Sequence, residues 1–218
     1  MACAEPCPFC ADRPNQRAAV RGLGKDKGAV VMLDPVTGEI LAMASTPVYD
    51  ASAIADPDTA TKTFKRLQAD DDRPLLPRST LGRYVPGSVF KIVTGIAGLN
   101  TGAIDPGTTF EEQPPAEKKG LVVEGFRVRD GHHEVTGDTA LDMNAATEVS
   151  CNIWYALAGL ETGGGRLADE AAKLGFGDSI PFDLPTAISR VTSGDGRAPG
   201  GFNDDAELAS IVRELRHR

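Results

Sequence analysis

Gly28-Ala29-Val30-Val31-Met32-Leu33-Asp34-Pro35-Val36-Thr37-Gly38-Glu39-Ile40-Leu41-Ala42-Met43-Ala44-Ser45 reads as two β-rich runs separated by turn-forming residues. Asp34-Pro35-Val36-Thr37-Gly38, which joins them, has turn chemistry in the right place for a hairpin. The pattern predicts an antiparallel hairpin with strands over residues 28–33 and 39–45. Downstream, Val89, Ile92, Val93, Ile96, Ala97 and Leu99 recur at helical spacing with few charges on any face. That predicts a helix from Pro86 to about Leu99, buried in the middle of a domain. Hairpin and buried helix together indicate an α+β architecture, a small antiparallel sheet packed by helices.

At 218 residues the chain has room for one domain, or for two small subdomains sharing a cleft. Its 41% apolar and 25% charged content is that of a folded globular protein. A net charge of -8 argues against a nucleic-acid ligand, because phosphate binders gather Lys and Arg on one face. No apolar run approaches the roughly 20 residues of a bilayer span, and no signal segment is recognisable. Cys3, Cys7 and Cys10 crowd the first ten residues and Cys151 stands alone. No second pair or His follows that cluster at zinc-ligand spacing, so neither metal nor cofactor is expected.

Residues 1–27 lack a clear period and read as a poorly defined lead-in with a short helix over 15–22. Residues 56–72 are polar and partly helical, with Phe64 and Leu67 on one face. Two short strands are expected near 120–128. Asp138 or Thr139 should cap a helix running to about Thr147, and a second apolar helix should begin near Asn152. Between these helices lies a sharp break at 149–151. Residues 181–201 are loop-like, and 204–218 have the composition of a terminal helix.

Ser88 and Lys91 are three residues apart at the head of the buried helix, which puts hydroxyl and amine on one face. A serine hydroxyl needs a base to become a nucleophile. An amine serves when burial and nearby positive potential lower its pKa, and the helix offers both through its packing and its N-terminal dipole. Ser-x-x-Lys by itself recurs about once by chance in a chain of this length. Its surroundings add weight: it lies in Tyr84-Val85-Pro86-Gly87-Ser88-Val89-Phe90-Lys91, and Ser150-Cys151-Asn152 follows 62 residues after Ser88 in the predicted break.

With these two motifs the sequence resembles the transpeptidase domain of penicillin-binding proteins. The hairpin block 28–45 is similar to the one that opens that family's sheet, followed by Pro47 and Tyr49-Asp50. Pro74-Leu75-Leu76 and Arg78 resemble the approach to the nucleophile, with Pro77 where the family usually has Asn, and Leu174-Gly175-Phe176-Gly177 resembles the loop after the second motif. The similarity is greatest to class B, monofunctional members. It implies a β-lactamase/transpeptidase-like serine acyl-enzyme fold over residues 28–209, with a lead-in over 1–27 and a non-family tail over 210–218. A helical subdomain would lie between the motifs, with the active site in the cleft beside the sheet.

Carried onto this chain, the resemblance implies that Ser88 attacks a D-alanyl-D-alanine stem peptide and Lys91 takes its proton. Ser150 would relay that proton to the leaving D-alanine, and Asn152 would hydrogen-bond Lys91 and the substrate amide. β-Lactams would acylate Ser88. A glycosyltransferase and other envelope proteins are implied as partners of a full-length parent at the extracytoplasmic face of the bacterial membrane.

The family's third motif, Lys-Thr-Gly or Lys-Ser-Gly, does not occur in the 218 residues. Thr192-Ser193-Gly194 follows Val191 and comes too soon after the second motif to replace it. The strand bearing that motif supplies an oxyanion-hole amide, whose loss costs about 3 kcal/mol of transition-state stabilisation, so this chain is expected to be catalytically crippled. Both ends depart from the family as a truncated or frame-shifted reading would. A sheet reduced to one hairpin would leave an open edge and an uncovered apolar helix face. Two other readings stand beside the transpeptidase. One is a class D-like β-lactamase, which has Val where Asn152 stands here; the other is a non-catalytic β-lactam sensor or scaffold. Cys151 reads as a packing residue. His132, His133 and His217 read as solvated surface, with neither triad order nor metal spacing.

Overall fold

The computed structural model describes residues 13–130, 138–191 and Leu208. The chain divides into two compact units, Met1–Arg83 with Ile180–Ala187, and Tyr84–Ser179 with Ile188–Arg218. The architecture is α+β: helices with two small antiparallel sheets.

In the first unit, β1 (Gly28–Leu33) pairs antiparallel with β2 (Ile40–Thr46), as the turn chemistry requires. Asp34 builds the turn. Its Oδ1 accepts from the N–H groups of Val36 and Thr37, both at 2.8 Å, and these bonds hold its carboxyl below the ordinary Asp range. Gly38 takes a φ of +76°, a conformation that costs other L-residues energy. One strand face is buried because Ala42, Ala44 and Thr46 alternate along β2. The two alanines are small enough for α1 (Arg13–Leu23) to approach through Ala19, Val20 and Leu23. The predicted short helix over 15–22 is therefore longer, and it is docked. Gln16 completes the ladder at the sheet edge, accepting from Met43 N–H at 2.8 Å and donating to Met43 O at 2.9 Å.

The partly helical stretch resolves into α2 (Ser52–Ala55) and α3 (Ala60–Gln68), with Leu67 buried and Phe64 exposed. A short α4 (Arg78–Leu81) follows. The buried Arg78 guanidinium donates to Asp72 O at 2.6 Å and Arg73 O at 2.9 Å, closing the loop ahead of it.

The second unit is built on α5 (Phe90–Thr101), entered through a 3-10 turn at Gly87–Val89 and ended by Gly102 in the left-handed region. Gly98 allows close packing there, since a Cβ would lie 2.6 Å from Ile104 Cγ1. Phe90, Val93 and Ala97 pack with Leu167 and Ala171 of α9 (Gly164–Lys173), a helix the sequence reading did not anticipate. The expectation of an all-round buried α5 is corrected. Val89 is 69% and Ile92 65% exposed, because α8 (Asn152–Thr162) and α9 occupy one side of the helix and leave the opposite stripe open.

Next come α6 (Gln113–Lys119) and the hairpin β3 (Leu121–Val123) with β4 (Phe126–Val128), which match the strands expected near 120–128. Then α7 (Met143–Glu148) is capped by Asp142 rather than by Asp138 or Thr139. Just ahead of that cap, Leu141 N–H donates to the buried Gln113 side chain at 2.8 Å, a contact made across 28 residues. Finally α8 (Asn152–Thr162) begins where expected and forms the centre of the main core.

Trp154 anchors that core. It is fully buried, donates from Nε1 to Thr108 O at 3.2 Å, and meets the rings of Phe110 and Tyr155 edge-on. Trp154→Ala is expected to cost about 3–5 kcal/mol of unfolding free energy. Chemical denaturation checks this; a loss under about 1 kcal/mol would mean that the core collapses into the space.

The tail over 204–218 lies outside the described residues except for Leu208, which is helical and buried with Phe90 and Leu167. The N-terminal cysteines, the three histidines and Thr192-Ser193-Gly194 also lie outside them.

Candidate active site

All four residues singled out by their motifs fall in the second unit. Ser88 sits in the 3-10 turn, exposed, and Lys91 lies in the first turn of α5. Residues i and i+3 share a face in both helix types, so the two side chains leave the helix on the same side.

The second motif comes to Lys91 through a tight helix–helix break. After α7 the chain turns at Ser150, a non-glycine residue with φ of +56°, costing about 1–2 kcal/mol. Cys151 N–H bonds back to Ala146 O at 2.8 Å, closing the end of α7. Cys151 then acts as N-cap of α8, its Sγ accepting from Trp154 N–H at 3.3 Å. This reversal delivers three acceptors to one point. Lys91 Nζ donates to Ser150 O, to Ser150 Oγ at 2.9 Å and to Asn152 Oδ1 at 2.8 Å.

Lys91 is 4% exposed, and Tyr155 presents its ring 5.7 Å from Nζ. Burial pushes the ammonium below the ordinary lysine range, opposed by the negative potential of Asp130. As an ammonium, Lys91 spends its three N–H donors on these acceptors, and Ser88 Oγ is not among them.

The sequence reading missed Asp130. Its Oδ1 accepts from Asn152 N–H, and its Oδ2 accepts from Cys151 Sγ at 3.2 Å. No local pattern marks it, because Arg129-Asp130-Gly131 reads as an ordinary turn leading into the polar loop. Cys151 is fully buried, and burial pushes its thiol up to about 12, so it is held as a protonated packing and capping residue. Glu117, Asp130 and Cys151 bring their ligand atoms within 4.8 Å of one another. That group supplies three donors of mixed type, and no fourth His, Cys, Asp or Glu joins it among the described residues.

Comparison with known proteins adds to this geometry. Residues 28–195 match the family model described as the penicillin binding protein transpeptidase domain. The chain is 34% identical over 175 residues to peptidoglycan D,D-transpeptidase PbpA of Mycolicibacterium smegmatis, covering 78% of this chain and 34% of that protein. It is likewise 34% identical over 178 residues to peptidoglycan D,D-transpeptidase MrdA of Haemophilus influenzae, covering 79% of this chain and 25% of that protein. The chain thus spans about a third or less of the length of these curated relatives.

Among solved structures, penicillin-binding protein A from M. tuberculosis, as its penicillin G acyl-enzyme complex, superposes with a TM-score of 0.75 at 28% identity. That match covers 93% of this chain and 46% of the other. The D,D-transpeptidase domain of the peptidoglycan glycosyltransferase from Eggerthella lenta superposes with a TM-score of 0.74 at 31% identity, over 93% of this chain and 45% of that one. Among the described residues no helix is long and apolar enough to cross a membrane.

Proposed function

From the membership of this chain in the penicillin-binding protein transpeptidase domain family, we propose that it carries the acylation residues of a peptidoglycan D,D-transpeptidase, with Ser88 as nucleophile. The observation that carries the proposal is the buried Lys91, bonded to Ser150 and Asn152 one helical turn from Ser88.

The chemistry follows from counting donors. A neutral amine keeps two N–H groups, enough for Ser150 O and Asn152 Oδ1, and frees a lone pair. That lone pair takes the Ser88 proton as Oγ attacks the carbonyl carbon of the penultimate D-alanine. The resulting ammonium donates to Ser150 Oγ, 2.9 Å away, and the Ser150 hydroxyl passes a proton to the departing D-alanine nitrogen. An ester on Ser88 remains. Attack by an amine of a neighbouring peptide makes a cross-link and frees Ser88, whereas attack by water hydrolyses the ester.

A β-lactam offers the same acyl chemistry with a leaving group that stays tethered, so Ser88 would remain acylated. Penicillin-binding protein A of M. tuberculosis has been captured as an acyl-enzyme with penicillin G and with imipenem, which supports this ligand class. The site would work at the extracytoplasmic face of the bacterial membrane, beside a glycosyltransferase that supplies glycan strands.

The test is incubation of the chain with penicillin G over hours, followed by proteolysis and peptide mass mapping. A penicilloyl adduct on the peptide containing Ser88 supports the proposal. An adduct elsewhere, or none, removes it.

A further inference from the structure

We propose that Asp130 is a positioning residue for this acylation, acting through the Ser150–Asn152 turn. The inference rests on the Ser88 and Lys91 reading given above. Its basis is the way two consecutive residues, Arg129 and Asp130, address Asn152 at separate points. Asp130 Oδ1 accepts from the Asn152 backbone N–H, and Arg129 O accepts from Asn152 Nδ2 at 3.0 Å.

The two contacts do different work. The N–H of Asn152 belongs to the first residue of α8, where no carbonyl of the same helix can reach it. A carboxylate there satisfies an orphan donor and complements the positive end of the helix dipole. Its second oxygen holds the Cys151 thiol, so both residues after the left-handed Ser150 are fastened to one side chain. The energy of that left-handed turn is offset by these bonds, which come from 20 or so residues upstream.

Arg129 O sets direction. An Asn amide has one donor end and one acceptor end, and only its partners decide which faces which way. A carbonyl at the Nδ2 end leaves Oδ1 as the end that meets Lys91 Nζ at 2.8 Å. Were Asp130 to let go, residues 129–130 would lose their grip on the turn and the Asn152 amide would lose its fixed sense. Lys91 would then no longer be held by two groups from opposite sides of the break.

The experiment uses the 218-residue chain with Asp130→Ala and Asp130→Asn. Three quantities are measured: the rate constant for acylation by a fluorescent penicillin at saturation, the concentration giving half that rate, and amide hydrogen exchange at Asn152. Asp130→Ala should slow the saturated rate about 10–100-fold, with little change in half-saturating concentration, and speed exchange at Asn152. Asp130→Asn keeps an oxygen acceptor for Asn152 N–H and should restore most of both losses. The restoration also answers the case in which the alanine variant folds poorly.

An alanine variant with parent-like rate and parent-like Asn152 protection would overturn the proposal. So would an Asp130→Asn variant as slow as the alanine one while retaining full Asn152 protection. If the parent itself is not labelled at Ser88, the transpeptidase reading fails. Exchange at Asn152 then still decides whether Asp130 holds the turn: unchanged protection in Asp130→Ala overturns that, and lost protection upholds it.

Discussion

Ser88→Ala should abolish covalent labelling by penicillin, lowering the rate at least about a thousandfold while leaving the fold intact. The size of the effect follows from chemistry, since on the proposed reading the acyl bond would be made to Ser88 Oγ, the atom this substitution removes. Among the described residues Ser150 is a rival, because its Oγ lies 2.9 Å from Lys91 Nζ. Ser150 is held in a left-handed turn between two helices, with its own hydroxyl already committed to Lys91. Ser88 stands exposed in a 3-10 turn, open to an incoming carbonyl. Removing an exposed hydroxyl should change unfolding free energy by no more than about 0.5 kcal/mol. Labelling and thermal denaturation on the same preparation separate the two effects. Ser88→Ala protein that still takes up penicillin at the parent rate would transfer the nucleophile to another residue.

Lys91→Met should produce the second large effect, a loss of about a thousandfold in acylation rate together with a change in its pH dependence. Methionine fills the same space without an amine. It leaves Ser150 O, Ser150 Oγ and Asn152 Oδ1 converging on a site with no donor. Each unsatisfied acceptor costs about 1–3 kcal/mol if water cannot reach it, and that loss is partly offset because a buried charge is no longer desolvated. The net change in stability should therefore be smaller than the change in rate.

The pH sign follows from the direction of the Lys91 shift. The amine acts as base only when neutral, and burial lowers its pKa, so the neutral fraction at a given pH exceeds that of an exposed lysine. The parent rate should rise with pH through that depressed pKa and level off above it. Lys91→Met should lose this rise. A parent whose rate falls as the amine deprotonates would show that Lys91 works as a cation, through electrostatics, and that another group takes the Ser88 proton.

The exposed stripe of α5 bears on how the protein is handled. Val89, Ile92 and Leu99 lie on the side opposite the packed residues Phe90, Val93 and Ala97. The sequence reading contained both a helix buried all round and, for a small sheet, one left with an open face. The second describes the molecule. Composition told the two apart poorly, because an apolar residue looks the same whether a partner covers it or not.

What the sequence determined by itself is local. The hairpin over residues 28–46 was legible because two β-rich runs flank the turn-forming stretch Asp34-Pro35-Val36-Thr37-Gly38. The shared face of Ser88 and Lys91 was legible because helical period alone sets it. The break before Asn152 was legible as an interruption in an apolar pattern. Elsewhere local signals misled slightly: Asp138 and Thr139 are good capping residues, yet Asp142 caps α7, and the residue before it is held by a buried glutamine 28 residues away.

Tertiary structure alone decided what Lys91 touches. Its partners lie 59 and 61 residues downstream, and Asp130, which accepts from the Asn152 N–H, belongs to a stretch with no motif of its own. Hydrogen bonds of this kind depend on where folded elements come to rest, whereas spacing in the chain specifies only neighbours within a turn or a strand. The pair proposed as nucleophile and base could thus be picked out from helical spacing together with motifs elsewhere in the chain, but the environment that sets the charge of Lys91 is assembled by packing.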